Sequence, residues 1–320
     1  MFPHCRTSSY RTPALMAWTC AFIVAAAACS ASDTKLTDDD DDGGGTSTSS
    51  AGGSGGGFLA GSGGSGGGVG GGCSEAAKLI YVLSDANNLY SFKPDEKQFT
   101  LIGPLQCQTS RSPNSMALDR DAVAWVNYVD SSSGFDSAGS IYKVSTVDAS
   151  CEAQPTVELP DGFYRVGMGF STNGPSTTEE TLFVTGVNSS GAMGRIDSGS
   201  LVPIGSFTGA FANQSAELTG TGDGRLYGFF TSTPVNVAEL GKSDASIISD
   251  TPLGTVEVPN AWAFSFWGGD FYLYTAQAGN SRVNQYRPST GTVDTTYMPD
   301  VGFRIVGAGV STCAPLLPPQ

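Results

Sequence analysis

The 320-residue chain carries 30 Asp and Glu against 16 Lys and Arg, a formal net charge of −14. It therefore offers no basic surface with which to neutralise phosphates, and nucleic acid is a poor partner. The one histidine is His4, so beyond the N-terminal leader there is no imidazole base, no Ser-His-Asp arrangement and no histidine-ligated zinc or haem. Carboxylates, Tyr, Lys, Arg and an oxygen-ligated hard cation such as calcium remain open.

Residues 1–28 read as a secretory signal: Arg6 and Arg11 precede an apolar run from Ala14 to Ala28, and small residues stand before the cut site. The run is short for a spanning helix, and an uncleaved anchor is the competing reading. Ala26-Ala27-Ala28-Cys29 resembles the bacterial lipobox, with Cys29 as the acylated residue, although alanine replaces the favoured leucine three positions before the cysteine. Ordinary cleavage is the alternative. Ser30 is not the aspartate of an inner-membrane retention signal, so outer-membrane sorting is expected, periplasmic or surface-exposed. Residues 29–73 pass from an acidic run, Asp38 to Asp42, into Gly/Ser repeats. Such a stretch has little to bury and is expected to be a disordered tether, whose Gly/Ser part reaches roughly 30 Å.

From residue 74 to 320 one four-part phrase recurs. Core strands fall at Ile80-Tyr81-Val82, Ala124-Trp125-Val126, Leu182-Phe183-Val184, Leu226-Tyr227-Gly228 and Tyr272-Leu273-Tyr274, spaced by 44 to 58 residues, which brackets the period of propeller blades. A partner strand follows each core at 87–94, 139–145, 191–197, 236–240 and 281–288. An outer strand follows that at 99–103, 156–159, 201–207, 253–258 and 292–297. Preceding strands stand at 115–119, 166–171, 216–221 and 263–268. The first repeat lacks one, while a matching phrase, RIVGAGVS at 304–311, stands alone at the C-terminus. The pattern predicts an all-β, five-bladed β-propeller of four-stranded antiparallel blades, with the C-terminal strand closing the first blade and removing two exposed sheet edges. A six-bladed ring is the alternative if the NGPSTTEE insertion at 173–180 hides strands, and a β-sandwich is a weaker rival.

With Cys5, Cys20 and Cys29 set aside, four cysteines remain: Cys73, Cys107, Cys151 and Cys313. In an exported chain they suggest two disulfides with three possible connectivities. Topology favours Cys73 with Cys313, which flank the closing blade, and Cys107 with Cys151 in adjacent repeats. A four-thiolate metal site competes poorly, because no C-x2-C spacing occurs; no metal site is assigned.

Aligning the preceding strands puts Ser115, Gly167, Glu217, Ala263 and Gly307 in one slot near the ring axis. Four are small, as a narrow channel requires; Glu217 is the exception. A buried carboxylate must be paired or hydrogen-bonded, and Arg165 or Arg304 at the starts of neighbouring inner strands are candidate partners. An interblade contact competes with a ligand or cation role. Trp262 and Trp267 in NAWAFSFWGGDFYLY, with Tyr164 and Arg165 on the same expected rim, are the candidate ligand-binding surface, against a reading of the aromatics as packing. Asp121 and Asp223 stand at equivalent turns, where Asp accepts turn amides, and no D-x-D-x-D-G calcium spacing is present.

With these phrases assembled, residues 74 to 320 resemble the uncharacterised propeller-like outer-membrane lipoproteins of myxobacteria and relatives, through NNLYSFKPDEKQFTLIGPLQC at 87–107, NSMALDRDAVAWV at 114–126, ELTGTGDGRLYGFF at 217–230 and GAGVSTCAP at 307–315. The resemblance implies fold and location, and no activity or catalytic residues. The reading it leaves first is a monomeric, non-catalytic cell-envelope binding or scaffolding module, attached to the membrane through its lipid and directed at a glycan or a surface protein, with no cofactor. The alternative is a propeller lyase or hydrolase acting on a polar substrate with a divalent cation near Glu217. A purely structural envelope protein is third.

Overall fold

The computed structural model describes residues 72–187 and 191–319; the expected signal peptide, Cys29 and nearly all of the tether lie outside them. Twenty strands form five four-stranded antiparallel sheets, an arrangement that is a five-bladed β-propeller. The chain enters through β1 (Ile80–Ser84), β2 (Asn88–Lys93) and β3 (Gln98–Pro104). Blade two is β4 (Ser112–Leu118), β5 (Val123–Asp130), β6 (Ala138–Ser145) and β7 (Val157–Leu159); blade three is β8 (Val166–Thr172), β9 (Glu180–Gly186), β10 (Ala192–Asp197) and β11 (Ser200–Ser206). Blade four is β12 (Ala216–Gly220), β13 (Leu226–Phe230), β14 (Asn236–Leu240) and β15 (Ile247–Pro252); blade five is β16 (Ala261–Trp267), β17 (Asp270–Ala276), β18 (Arg282–Arg287) and β19 (Thr292–Met298). The last strand, β20 (Ile305–Val310), returns to pair with β1 and completes blade one.

Alternation along the inner two strands of each blade sends successive side chains to opposite seams. Ile80 and Val82 pack toward blade five with Tyr274 and Val310, while Tyr81 and Leu83 pack toward blade two with Met116 and Tyr128. Each of the five seams has its own buried apolar cluster of this kind. Strands buried on both faces must be apolar throughout, as in β1 (IYVLS) and β13 (LYGFF), whereas the outermost β3, β11 and β15 face solvent.

Ring closure follows the sequence pattern. Ile80 pairs with Val310 and Leu83 with Gly307, the Ser311 hydroxyl donates to Ala77 O at 2.7 Å, and a disulfide joins Cys73 to Cys313 across 240 residues. A second disulfide joins Cys107 to Cys151, between blades one and two.

Two placements differ from the sequence reading. The outer strand of blade four is β15 at Ile247–Pro252, ahead of the expected 253–258. After β14 the chain reverses at once: Gly241 N–H donates to Ser246 O, and the Asp244 carboxylate accepts from Ser246 N–H at 3.0 Å. Leu253 and Val256 instead bury themselves in the seam between blades four and five. The insertion at 173–180 holds no extra blade, since Thr172 pairs with Glu180 and the intervening residues only extend the hairpin.

The turn chemistry is also redistributed. In blade two it is Asp119, not Asp121, that accepts the turn amides, from Asp121 N–H at 3.1 Å and Val123 N–H at 2.9 Å. Asp119 also holds the Trp125 indole N–H at 2.9 Å. In blade four Thr221 stands in the corresponding place and accepts from Arg225 N–H at 3.1 Å, while Asp223 pairs with Arg225 at 2.8 Å.

Candidate functional site

The inner strands β4, β8, β12, β16 and β20 each touch their neighbours around the ring and run in the same direction, with Gly167 against Ala216 and Glu217, and Gly169 against Leu218 and Thr219. Their N-terminal ends therefore gather on one face. The approach is close: a Cβ added at Gly167 would sit 2.0 Å from Ala216 O, and one at Gly307 would sit 3.0 Å from Met116 N. Small residues in this slot are a steric requirement of the narrow axis.

Glu217 uses the space that Gly167 leaves. Its carboxyl accepts the Ser115 hydroxyl at 2.7 Å and the Met168 backbone N–H, so a side chain of blade four ties together blades two and three. An innermost strand has an unpaired edge facing the channel, and Glu217 supplies an acceptor for one of its donors. The residue is 5% exposed. Burial drives its carboxyl well above the usual carboxylate range, against the opposing pull of Ser115, Met168 N–H and the Arg165 charge.

Above Glu217 the channel opens into a mouth of about 210 Å³ whose walls include Asn114, Arg165, Trp262 and Arg304. Arg165 is fixed by a two-pronged pair with Asp136 at 2.9 and 3.0 Å, by Asn114 Oδ1 at 2.6 Å and by Ser131 Oγ at 3.0 Å. That pair holds the Asp136 carboxyl below its ordinary range. Arg165 thus meets Asp136 and reaches Glu217 only through its charge. Arg304 is half-buried; among the described residues its guanidinium makes no ion pair and no side-chain hydrogen bond. The Trp262 indole Nε1 is buried and has no hydrogen-bond partner.

The structure brings together Glu217, Arg165 and Trp262, and sets Tyr164 beside them. Tyr164 borders a shallow depression of about 100 Å³ shared with Asp136 and Arg165, and its carbonyl accepts from Asn127 Nδ2 at 3.1 Å. Trp267 is not part of this group. It stands at the opposite end of β16, roughly 16 Å away at strand rise, is 8% exposed, and donates its indole N–H to Lys78 O at 2.7 Å. Burial among the residues between blades five and one makes it a packing residue. Asn114 and Asp136 were not among the sequence candidates. Asp136 lies in the long β5–β6 loop of the second repeat, and its partner Arg165 is 29 residues away.

Among the described residues no three His, Cys, Asp or Glu side chains gather into a group that could hold a metal ion. A larger groove of about 380 Å³ lies on the opposite face between blades four and five. The chain's own segment Leu316–Pro318 forms part of its wall, anchored where Gly268 N–H donates to Pro315 O at 2.7 Å.

No protein-family model matches the sequence, and no curated protein matches it. Among solved structures the chain is similar to one in a nidogen/laminin complex, at 9% identity and a TM-score of 0.46, covering 72% of this chain and 97% of that one. It is similar to TolB from Acinetobacter baumannii at 15% identity and a TM-score of 0.39, covering 68% of this chain and 51% of that one. It is similar to a luciferin-regenerating enzyme at 11% identity and a TM-score of 0.43, covering 75% of this chain and 94% of that one. Likeness at this level carries no argument about function.

Proposed function

We propose that the protein is a non-catalytic binding module of the cell envelope, carried on a lipid at Cys29 and a Gly/Ser-rich tether, which receives a terminal sugar of a glycan at the mouth of its propeller channel. The observation that carries the reading is the mouth itself: a recess with one half-buried indole wall, two arginines and a buried carboxyl among largely apolar neighbours. An aromatic wall beside a few fixed polar groups is what a sugar ring uses, packing its apolar face on the ring while its hydroxyls meet donors and acceptors. At about 210 Å³ the recess is smaller than the roughly 300–1,000 Å³ of pockets for drug-sized ligands, which suits one end residue rather than a chain laid across the face.

The donor set speaks for binding over cation-dependent lysis or hydrolysis. Glu217 is the one carboxylate in the wall of the mouth, its nearest charged neighbour is an arginine, and its carboxyl is committed to Ser115 and Met168 N–H. A divalent cation needs several oxygen ligands of negative character, and a two-carboxylate mechanism needs a second acid.

The test is a glycan array probed with the purified full chain, together with its Trp262→Ala variant. The expected result is a defined set of bound glycans and a loss of at least tenfold in signal on Trp262→Ala, with the thermal midpoint held. Absence of any bound glycan, or binding indifferent to Trp262→Ala, overturns the reading, as does release of sugar products by the unmodified protein.

A further inference from the structure

We infer that the Cys73–Cys313 disulfide is a thiol-exchange site: an external dithiol attacks Cys313 Sγ, Cys73 departs as a thiolate beside the Arg120 guanidinium, and this bond opens ahead of Cys107–Cys151. The inference is independent of the glycan reading.

The first observation is a cation placed on one sulfur. Arg120, in the turn between β4 and β5, donates from one guanidinium nitrogen to Cys73 Sγ at 3.4 Å and from another to the Thr312 hydroxyl at 3.0 Å. Among the described residues Cys73 Sγ is the only sulfur that accepts from a charged side chain. A positive neighbour lowers the pKa of a thiol, and a thiol of lower pKa leaves faster in exchange. Cys73 is therefore the better leaving group of the pair.

The second observation is that the charge is not spent elsewhere. Among the described residues Arg120 makes no ion pair, because the acids around it are engaged by other donors. Asp119 accepts two turn amides and the Trp125 indole N–H. The two oxygens of Glu180 accept the Thr312 hydroxyl and the Arg120 backbone N–H, and Glu75 pairs with Lys78 at 2.6 Å. None of these carboxylates is bonded to the guanidinium.

The third observation separates the two disulfides. All four cysteines are half-buried, so exposure does not distinguish them. Cys107 and Cys151 pack against the apolar cluster between blades one and two, where a departing thiolate is disfavoured. Cys73 and Cys313 belong to none of the five seam clusters.

The exchange balances on named atoms. One thiolate of the dithiol bonds to Cys313 Sγ as the disulfide breaks, and the electron pair of that bond stays on Cys73. The second thiol gives its proton to water, attacks the dithiol's own sulfur in the mixed disulfide and expels Cys313, which takes a proton from solvent. The dithiol is oxidised to a disulfide, and the protein is reduced by two electrons. Pairing of β20 with β1 and the Ser311 bond to Ala77 O do not pass through the sulfurs, so the strand order is kept while the covalent join is open.

The full chain is incubated at about pH 7 with excess dithiothreitol for increasing times, quenched with N-ethylmaleimide, digested, and its cysteine peptides quantified by mass spectrometry. Cys73 and Cys313 are expected to become alkylated roughly tenfold faster than Cys107 and Cys151. With mercaptoethanol in place of the dithiol, the trapped adduct is expected on Cys313 and the alkyl group on Cys73. Arg120→Gln should slow opening of this bond roughly tenfold, and Arg120→Lys should restore most of the rate. A purely structural Arg120 gives the reverse sign, since loosening the turn would expose the bond and speed its reduction. Equal rates for the two disulfides, an adduct on Cys73, or faster reduction in Arg120→Gln overturns the inference. The first two readouts use the unmodified chain and do not depend on any variant folding.

Discussion

At the scale of the residue, Glu217 combines two roles that a sequence presents as alternatives. It braces three blades through Ser115 and Met168 N–H, and it also floors the mouth. Burial raises its carboxyl well above the ordinary range, so the folded chain holds this proton at pH values where the unfolded chain has released it. Such a group contributes least resistance to folding at acid pH and costs stability as pH rises. Glu217→Gln keeps the shape and an amide oxygen to accept Ser115 and Met168 N–H, and it removes the ionisation. We expect urea denaturation of the unmodified chain to show stability falling as pH rises above the ordinary carboxylate range. The variant should show a shallower fall and be at least as stable at the upper end. Identical slopes for the two proteins would mean that Glu217 is ionised in the fold. Truncation is different: Glu217→Ala strands the Met168 N–H and the Ser115 hydroxyl, a loss of roughly 1–3 kcal/mol.

At the scale of the element, the inner strands set the tolerance of the channel. Gly167→Ala would place a methyl 2.0 Å from Ala216 O, and backbone on both sides leaves nothing flexible to yield. Overpacking of this kind costs typically about 1–3 kcal/mol, and strand displacement would also disturb Glu217. Gly254→Ala, where no atom lies within 4 Å of the added methyl, is the matched control and should be close to neutral. Thermal midpoints of the two variants decide the point: equal midpoints would show that the inner strands are less tightly apposed than described. This element-level grammar was largely legible beforehand, because a strand buried on both faces reads as Ile-Tyr-Val-Leu, and four of the five residues in the slot on the narrow axis read as Gly, Ala or Ser. The outer strand of blade four was not legible. Outermost strands are solvent-faced and carry little apolar signal, so Leu253 and Val256, which bury themselves in a seam, mimicked one. Nor was the mouth fully legible: Trp262 and Trp267 look alike in the phrase, yet their odd separation and their positions at the two ends of β16 send them to different fates. Asp136 was hidden because a loop-to-strand ion pair leaves no periodic trace.

At the scale of the whole molecule, the ring is held by a closure that joins the two ends of the described chain. β20 pairs with β1, and the Cys73–Cys313 disulfide fastens the same join across 240 residues. On the opposite face Thr312 donates to the Glu180 carboxyl at 2.7 Å, and Arg120 N–H donates to its other oxygen at 2.8 Å, which ties the residue beside Cys313 to blades two and three. Burial pushes the Glu180 carboxyl up to about 7, so this clasp also favours mildly acid conditions. In the chain-entropy picture a disulfide acts on the unfolded state, and a longer closed loop is worth more, up to several kcal/mol. The Cys107–Cys151 bond closes only 44 residues, within adjacent blades that are already joined by continuous chain. We therefore expect Cys73→Ser with Cys313→Ser to lower stability by about 2–5 kcal/mol, and Cys107→Ser with Cys151→Ser to lower it by less. Denaturant midpoints of the two double variants make the comparison. The loss at the closure should appear mainly as faster unfolding, because the first and last strands can separate without any other blade opening. Equal losses, or a larger loss at Cys107 and Cys151, would place the weak point of the ring within its second seam instead of at the join between β20 and β1.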